Sequence, residues 1–366
     1  MEIIHIVLGK ANPARMNGVN KVVYQLATNQ AKVGKKVSVW GITKDLSVNY
    51  DKRPFATVLF QEAKNPFMLA KEFKQQAIGK KGKAIFHLHG GWIPMFSSVA
   101  RFFSKHEIEY VLTGHGAYNS VAMQKSKILK TIYFHLFEKK LIAGAKKVHS
   151  IGISEVNGLD KIYKNAVHFL LPYGYDGKKS TVEVVKGSKF IVGFVGRLTT
   201  YTKGLDILLA GYASFRRKNP TCELWIVGDG QDRETLESQV GKEGIKNVKF
   251  WGAKYDEEKD GLIKQMHVFA HPSRNEGLPS AVLEAASFGV PSLVSEYTNV
   301  GDFVKAYNAG ICMALNDAPN LTLGLIELHE RYKQNQLRRI SENAKAMVEF
   351  AFSWENISSQ FDELYI

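Results

Sequence analysis

The sequence predicts an α/β protein of two doubly wound parallel-sheet domains facing a cleft. Three observations carry that expectation. Short apolar runs of strand length alternate with amphipathic helical segments along the chain, the pattern of parallel sheets covered on both faces. One turn-rich passage near 171–189, beginning Leu171-Pro172-Tyr173-Gly174-Tyr175, interrupts the alternation. The length, 366 residues, exceeds what one small core organises. The expected boundaries are a first domain over 1–172, a linker over 173–189, a second domain over 190–350 and a closing helix over 351–366 that returns toward the first domain. In such sheets ligands bind beyond the carboxyl ends of the strands.

In the first half, the run Ile3-Ile-His-Ile-Val-Leu8 is a strand. Apolar residues at 19, 22, 23 and 26 have helical spacing, Gly34 ends that helix and Val37-Ser-Val-Trp40 opens the next strand. Further strands are expected at 57–60, 84–88, 110–113 and 148–152, separated by helix-like segments, notably 120–143. After the linker the expected order is strand 190–195, helix 204–217, strand 223–227, helix 231–242, strand 248–251, helix 257–266, strand 268–270, helix 280–288 and strand 291–294. Helices near 320–350 and 355–364 close the chain. The sequence shows no internal repeat.

A hydrophobic content of 45% with 23% charged residues fits a soluble globular protein. No apolar run is long enough to span a bilayer, and the N-terminus reads as a strand rather than a signal peptide. Cys222 and Cys312 stand in apolar settings, consistent with buried thiols in a reducing compartment, and no Cys/His cluster has zinc spacing. The net charge of +14 is uneven. Residues 1–172 hold 26 Lys+Arg against 10 Asp+Glu, and the remainder 23 against 25. The first half therefore points to an anionic partner. No nucleic-acid-binding motif accompanies the charge. The helical segment 120–143 mixes Lys125, Lys127, Lys130, Lys139 and Lys140 with Ile128, Leu129, Ile132 and Leu136. That mixture suits an anionic membrane surface, or else solvated lysines over a core-facing stripe.

Two motifs carry chemistry. The first runs from Asn275 to Pro291. Glu276 lies on a loop, Pro279 suits a first helical turn, a helix starts near Ser280, and Gly289 suits its end. Free N–H groups at the helix start attract a phosphate. Glu284, about one turn in, and Glu276 can accept hydrogen bonds from polyols. The ordered contacts are sugar, phosphate and ribose, the layout of a nucleotide-sugar. The second motif is Gly196-Arg197 at a strand end, followed by Lys203-Gly204 entering a helix. Arg197 can grip an oxyanion with two N–H groups and Lys203 adds a point charge, a pair suited to a diphosphate. Such cations stabilise a departing diphosphate without a metal, and no Asp-x-Asp motif occurs. NAD-linked chemistry is disfavoured because no Gly-x-Gly-x-x-Gly follows the first strand. His87 and His89 share one strand face and could form a metal pair, but no third ligand is evident. His89 is a candidate on the acceptor side. His115 sits between two glycines at a strand end, and Asp229 reads as a turn residue.

Taken in order, these segments resemble glycosyltransferase family 4, the retaining group with the two-domain GT-B fold. The resemblance rests on Asn17-Gly18-Val19, Thr113-Gly114-His115-Gly116, Leu171-Pro172-Tyr173-Gly174, Gly196-Arg197 with Lys203-Gly204, Val227-Gly228-Asp229-Gly230, Phe250-Trp251-Gly252 and Pro272-Ser273 leading to Glu276 and Glu284. It implies that Arg197 and Lys203 hold the diphosphate, Glu284 the ribose and Glu276 the transferred sugar. Backbone N–H groups of Gly277, Leu278, Ser280 and Ala281 would surround the sugar and phosphate, with Gly252 near the base. Gly18 would let backbone approach the phosphate, His115 would face the sugar, and Asn17 and His89 would stand on the acceptor side. The chain departs from the pattern in having one glycine in its first loop and Glu-Gly-Leu-Pro after Glu276, where Pro279 removes one N–H donor.

The resulting expectation is a metal-independent retaining glycosyltransferase of the bacterial surface-glycan type. It would use a UDP-sugar and a lipid-linked or surface glycan acceptor such as O-antigen, capsule or lipooligosaccharide, from a cytoplasmic position peripheral to the inner membrane face. No cofactor beyond the donor is expected. The alternatives are a nucleotide-sugar epimerase on the same scaffold and a non-catalytic partner subunit.

Overall fold

The computed structural model describes residues 1–12, 18–48, 50–119, 123, 126–177, 187 and 189–366. The chain forms two compact units: Met1–Gly174 with Trp354–Ile366, and Tyr175–Ser353. Each is a parallel sheet between helices.

The first unit contains β1 (Glu2–Leu8), α1 (Gly18–Lys32), β2 (Val37–Thr43), β3 (Ala56–Gln61), α2 (Lys71–Lys80), β4 (Ala84–His89), α3 (Pro94–His106) and β5 (Tyr110–Thr113). The helical segment that follows is unbroken over 127–143 but changes its winding. It is α4 (Lys127–Tyr133), one π-helical turn (Phe134–Glu138) and α5 (Lys139–Ala143). Then come β6 (Val148–Ser150), α6 (Ile153–Asp160) and β7 (His168–Leu170), a short edge strand that the sequence reading missed. The strand order is β3-β2-β1-β4-β5-β6-β7.

Alternate residues of a strand face opposite sides of its sheet. Ile4, Ile6, Phe86, Leu88, Leu112 and Val148 join one apolar core, which also holds the packed rings of Trp40, Phe73 and Phe103. The intervening residues His5, His87, His89, Thr113 and His149 give the other face a buried polar stripe. The register aligns them, pairing His5 with His87 and His89 with Thr113, and Thr113 with His149.

The passage expected to begin a linker is instead core at its start. Leu171 and Tyr173 are buried, and Gly174 packs on the Trp354 indole. The aromatic residues of this passage outweigh its turn-forming ones. Residues 178–186, which fall in the expected linker, lie outside the described residues.

The second unit contains β8 (Ile191–Val195), a one-turn helix α7 (Thr200–Lys203), α8 (Leu205–Lys218), β9 (Glu223–Val227), α9 (Arg233–Lys242), β10 (Val248–Gly252), α10 (Asp256–Gln265), β11 (Val268–His271), α11 (Ser280–Ser287) and β12 (Ser292–Val294). After β12 come α12 (Gly301–Ala306) and β13 (Gly310–Cys312), which the sequence did not announce. The sheet order is β10-β9-β8-β11-β12-β13. The expected helix near 320–350 is two helices, α13 (Ala318–Lys333) and α14 (Leu337–Ala351). Asp317 caps α13 by accepting the Asn320 N–H. The chain ends in α15 (Trp354–Gln360) and α16 (Asp362–Tyr365), which pack in the first unit, and α15 contacts α1 there.

Two glycines shape the second unit's functional loops. Gly289 adopts φ +77° after α11, its N–H bonds Ala286 O at 2.8 Å and the Val290 N–H bonds Ala285 O at 2.9 Å. That pair of bonds is a Schellman stop. Gly204, at φ +66°, joins α7 to α8, and a Cβ there would overlap the Pro272 carbonyl. A Gly204→Ala variant combines a left-handed backbone with a backbone clash, so it should lose about 2 kcal/mol or more of stability. Urea unfolding against the unaltered protein measures this, and an unchanged midpoint would contradict the close approach.

Candidate functional site

The second unit gathers its charged groups at the carboxyl ends of β8 and β11. Glu276 is the hub. Its Oε1 accepts from Lys203 Nζ and from His271 Nε2 at 2.8 Å, with Ser273 Oγ at 3.4 Å. Its backbone is fixed as well. The Glu276 N–H donates to Tyr297 O at 3.2 Å, and Asn299 Nδ2 donates to the carbonyls of Glu276 and Gly277, each at 2.8 Å. Burial works to raise the Glu276 pKa, but the His271 hydrogen bond and the Lys203 charge outweigh it and hold the carboxyl near 2. His271 closes β11 and stacks between the rings of Phe194 and Phe269.

Lys203 and Glu276, expected to serve different parts of a ligand, are thus already paired with each other. Glu284 also has a partner. Lys259 of α10 reaches it at 2.8 Å. Both glutamates are therefore anchored by a lysine, which suits acceptance of hydroxyl hydrogen bonds. Arg197 differs from both cations. It is exposed, and its guanidinium has no ion-pair or hydrogen-bond partner among the described residues.

Gly196 sits where β8 ends, its N–H bonded to Val227 O at 3.0 Å, and Gly252 bonds the neighbouring loop through Gly228 N–H to Gly252 O at 2.8 Å. Gly277 and Leu278 lead into α11, whose first residues are Ser280 and Ala281. Pro279 stands at the N-cap, not in the first turn. It has no side-chain oxygen to offer, so no side chain caps the helix. Its carbonyl accepts the Val282 N–H at 3.0 Å, leaving the N–H groups of Ser280 and Ala281 without a helical acceptor.

In the first unit, Gly18 opens α1 and nothing lies within 4 Å of where its Cβ would stand. No neighbour among the described residues demands glycine there. Asn17 lies outside the described residues. His115 adopts φ +54°, a strained backbone for a non-glycine residue. The next residue's N–H is held by the buried Glu155, whose carboxyl burial pushes up to about 7. His89 does not reach an acceptor surface. It is buried, with Nε2 on His5 Nδ1 at 2.9 Å and Nδ1 on His115 Nε2 at 3.0 Å. It stands one hydrogen bond behind His115 because β4 turns its alternate side chains into the polar stripe.

The structure also supplies the third histidine that the sequence lacked. His5, His87 and His89 offer ligand atoms all within 4.8 Å of one another. Their ring nitrogens are, however, all hydrogen-bonded: His5 Nε2 to Gln30 at 2.7 Å, His87 Nε2 to Thr113 at 2.6 Å and His87 Nδ1 to the Tyr365 hydroxyl at 3.1 Å. Burial lowers the pKa of all four histidines of the stripe and of His115 beside it, to about 4 for His5 and His149 and about 3 for His115. Sequence reasoning missed His5, His271, Lys259 and Asn299. His271 ends a strand before a functional loop just as His115 does, and that parallel was available.

With this geometry in hand, comparison with known proteins is informative. Residues 175–347, most of the second unit, match the family model for glycosyl transferases group 1. The O-antigen chain mannosyltransferase C of Escherichia coli is 26% identical over all of this chain and 98% of its own length. Other curated relatives are matched over about half their length, among them an uncharacterised glycosyltransferase of Methanocaldococcus jannaschii, 28% identical over 49% of this chain and 45% of its own. The fold is that of sucrose-phosphate synthase from Thermosynechococcus elongatus, with a TM-score of 0.74 at 20% identity, covering 100% of this chain and 98% of that one. It is also that of the Anabaena protein HepE solved with UDP and glucose, with a TM-score of 0.71 at 17% identity, covering 99% and 98%. Most of the second unit therefore resembles a glycosyl transferases group 1 domain, and the homologues named above are glycosyltransferases.

Acid should act on the first unit before the second. A histidine whose folded pKa lies below its unfolded value of about 6.5 stabilises the fold fully above that value, and loses that contribution as pH falls toward the folded pKa. Each buried histidine costs the folded state up to about 1.4 kcal/mol per pH unit in that window. Urea midpoints should fall from pH 7 to pH 5, before Glu276 begins to protonate. Glu138 and Glu155, whose carboxyls burial pushes up to about 7, work in the opposite direction but are two against five, so a midpoint flat across that range would contradict the histidine penalty.

Proposed function

We propose that the protein is a retaining glycosyltransferase that moves a sugar from a UDP-sugar to a lipid-linked or surface polysaccharide acceptor without a metal. The observation that carries this reading is the anchored Lys203–Glu276–His271 group at the foot of α11, with Arg197 free beside it. Breaking a glycosyl–diphosphate bond puts negative charge on the leaving oxygen. Arg197 supplies two parallel donors for that charge, Lys203 a second cation, and the open N–H groups of Ser280 and Ala281 a third contact. When the diphosphate arrives, Lys203 can share its charge between phosphate and Glu276. The second Glu276 oxygen accepts a sugar hydroxyl and Glu284, steadied by Lys259, accepts the ribose diol. Retention follows if the leaving phosphate takes the acceptor proton. UDP as donor draws support from the HepE complex, and a surface-glycan acceptor from the O-antigen relative. The group's role in holding a diphosphate is tested by Arg197→Ala. It should lower kcat with a UDP-sugar about 100-fold, equivalent to about 3 kcal/mol, and Glu284→Ala should raise KM. Wild-type rates in both variants would remove the site assignment.

Membrane contact belongs to the same proposal. On α4 and the following turn, Ile128, Leu129, Ile132 and Leu136 are 77%, 71%, 54% and 57% exposed, at helical spacing. Lys130, Lys139 and Lys140 flank them. An apolar ridge edged by lysines fits an anionic bilayer interface, where each basic group adds about 1 kcal/mol. No helix among the described residues is long and apolar enough to cross a membrane. The protein should co-sediment with phosphatidylglycerol vesicles and less with phosphatidylcholine ones, and Leu129→Asp with Ile132→Asp should abolish the difference. Equal sedimentation of both proteins would count against this surface.

A further inference from the structure

The polar stripe of the first unit has a direction. His5 Nε2 meets only an oxygen, Gln30 Oε1, so it must carry the proton, and His5 Nδ1 must accept. His89 Nε2 therefore donates to His5, and His89 Nδ1 accepts. His115 Nε2 then donates to His89, and His115 Nδ1 is left as an acceptor. A second branch obeys the same rule. His149 Nε2 donates to Leu171 O at 2.7 Å, so its Nδ1 accepts from the Thr113 hydroxyl at 2.8 Å. Thr113 accepts from His87 Nε2, and His87 Nδ1 accepts from Tyr365. Gln30 Nε2, which donates to the Tyr365 hydroxyl at 3.0 Å, ties the branches together. All five histidines are forced into the Nε2–H form.

Of their ten ring nitrogens, nine have a partner between 2.6 and 3.1 Å. The exception is His115 Nδ1, whose nearest partner is the Tyr173 hydroxyl at 3.5 Å. His115 is also the one ring of the five that is not fully buried, the others being 0–1% exposed. The most loosely held acceptor thus sits at the open end of the array, on a residue whose backbone adopts φ +54°.

We propose that His5 and His89 are positioning residues that lock His115 in the Nε2–H tautomer, so that its Nδ1 receives a hydrogen bond from a sugar hydroxyl. This rests on the glycosyltransferase reading above. The array acts through orientation. An unconstrained imidazole could present either an N–H or a lone pair to the ligand, and only the lone pair accepts a hydroxyl proton. Gln30, at the far end, sets the choice from three side chains away. The strand register between β1 and β4 transmits it.

Imidazole nitrogen NMR on the full chain labelled with ¹⁵N-histidine tests this. In the unaltered protein at pH 7, His115 should be protonated at Nε2 and bare at Nδ1, with Nδ1 shifting when a turned-over UDP-sugar is added. His89→Phe removes the acceptor and should release His115 into a mixture with the Nδ1–H form, with about a tenfold loss of kcat/KM, one hydrogen bond's worth. His89→Asn keeps an oxygen at the position of Nδ1 and should restore both the tautomer and most of the activity. An Nδ1–H His115 in the unaltered protein overturns the proposal, and so does equal loss in both variants with the His115 tautomer unchanged. If His89→Phe does not fold, the spectrum of the unaltered protein decides. Absence of transfer from every UDP-sugar would sink the functional reading alone, because the tautomer is read independently.

Discussion

Parallel strand pairing puts the carboxyl end of every strand on one edge of its sheet, and the chemistry of this chain depends on that edge. Backbone N–H and carbonyl groups are satisfied inside the ladder, so the side chains just past each strand are free to be polar. His89 and Thr113 close β4 and β5 in the first unit, with His115 two residues on. Val195 and His271 close β8 and β11 in the second, with Gly196-Arg197 and Glu276 following. Residues far apart in sequence become neighbours only because the register sets adjacent strands level.

The two units bury polar groups in opposite ways. The second uses charge. Glu276 remains ionised inside the protein because Lys203 and His271 compensate for its loss of water. An ionised, partnered carboxylate is suited to accepting hydrogen bonds rather than to donating a proton. The first unit uses neutrality. Its histidines are too buried to hold charge, so they share protons along a chain of bonds that leaves no donor facing a donor. Each solution leaves one group loosely held: the Arg197 guanidinium has no partner among the described residues, and His115 Nδ1 meets the Tyr173 hydroxyl only at 3.5 Å. An array held tightly everywhere but at one atom has a ready place for a ligand.

Much of the fold was legible in the sequence. The strands around Ile3–Leu8 and 223–227 announced themselves by apolar runs, and α11 by its proline and glycine. Short edge strands were not. The β7 and β13 strands are three residues each and are defined by a neighbour more than by their own composition. The break between α13 and α14 was likewise hidden, because both carry the same helical periodicity. Within the candidate site, the cations and the two glutamates could be read from their spacing. Their partners could not. Lys259 lies one helix and one strand before Glu284, and nothing local to either residue signals the pair.

The sequence by itself determined the α/β class, the uneven distribution of charge, and the residue types at the ends of the strands, since propensity, periodicity and turn chemistry act over a few neighbours. Tertiary structure alone decided that Lys203 holds Glu276, that His89 is buried behind His115, and that His5 completes the histidine stripe. These depend on the lateral register of strands and on where one helix leans against another. Such relations are set by burying all the side chains at once, and no short stretch of the chain encodes them.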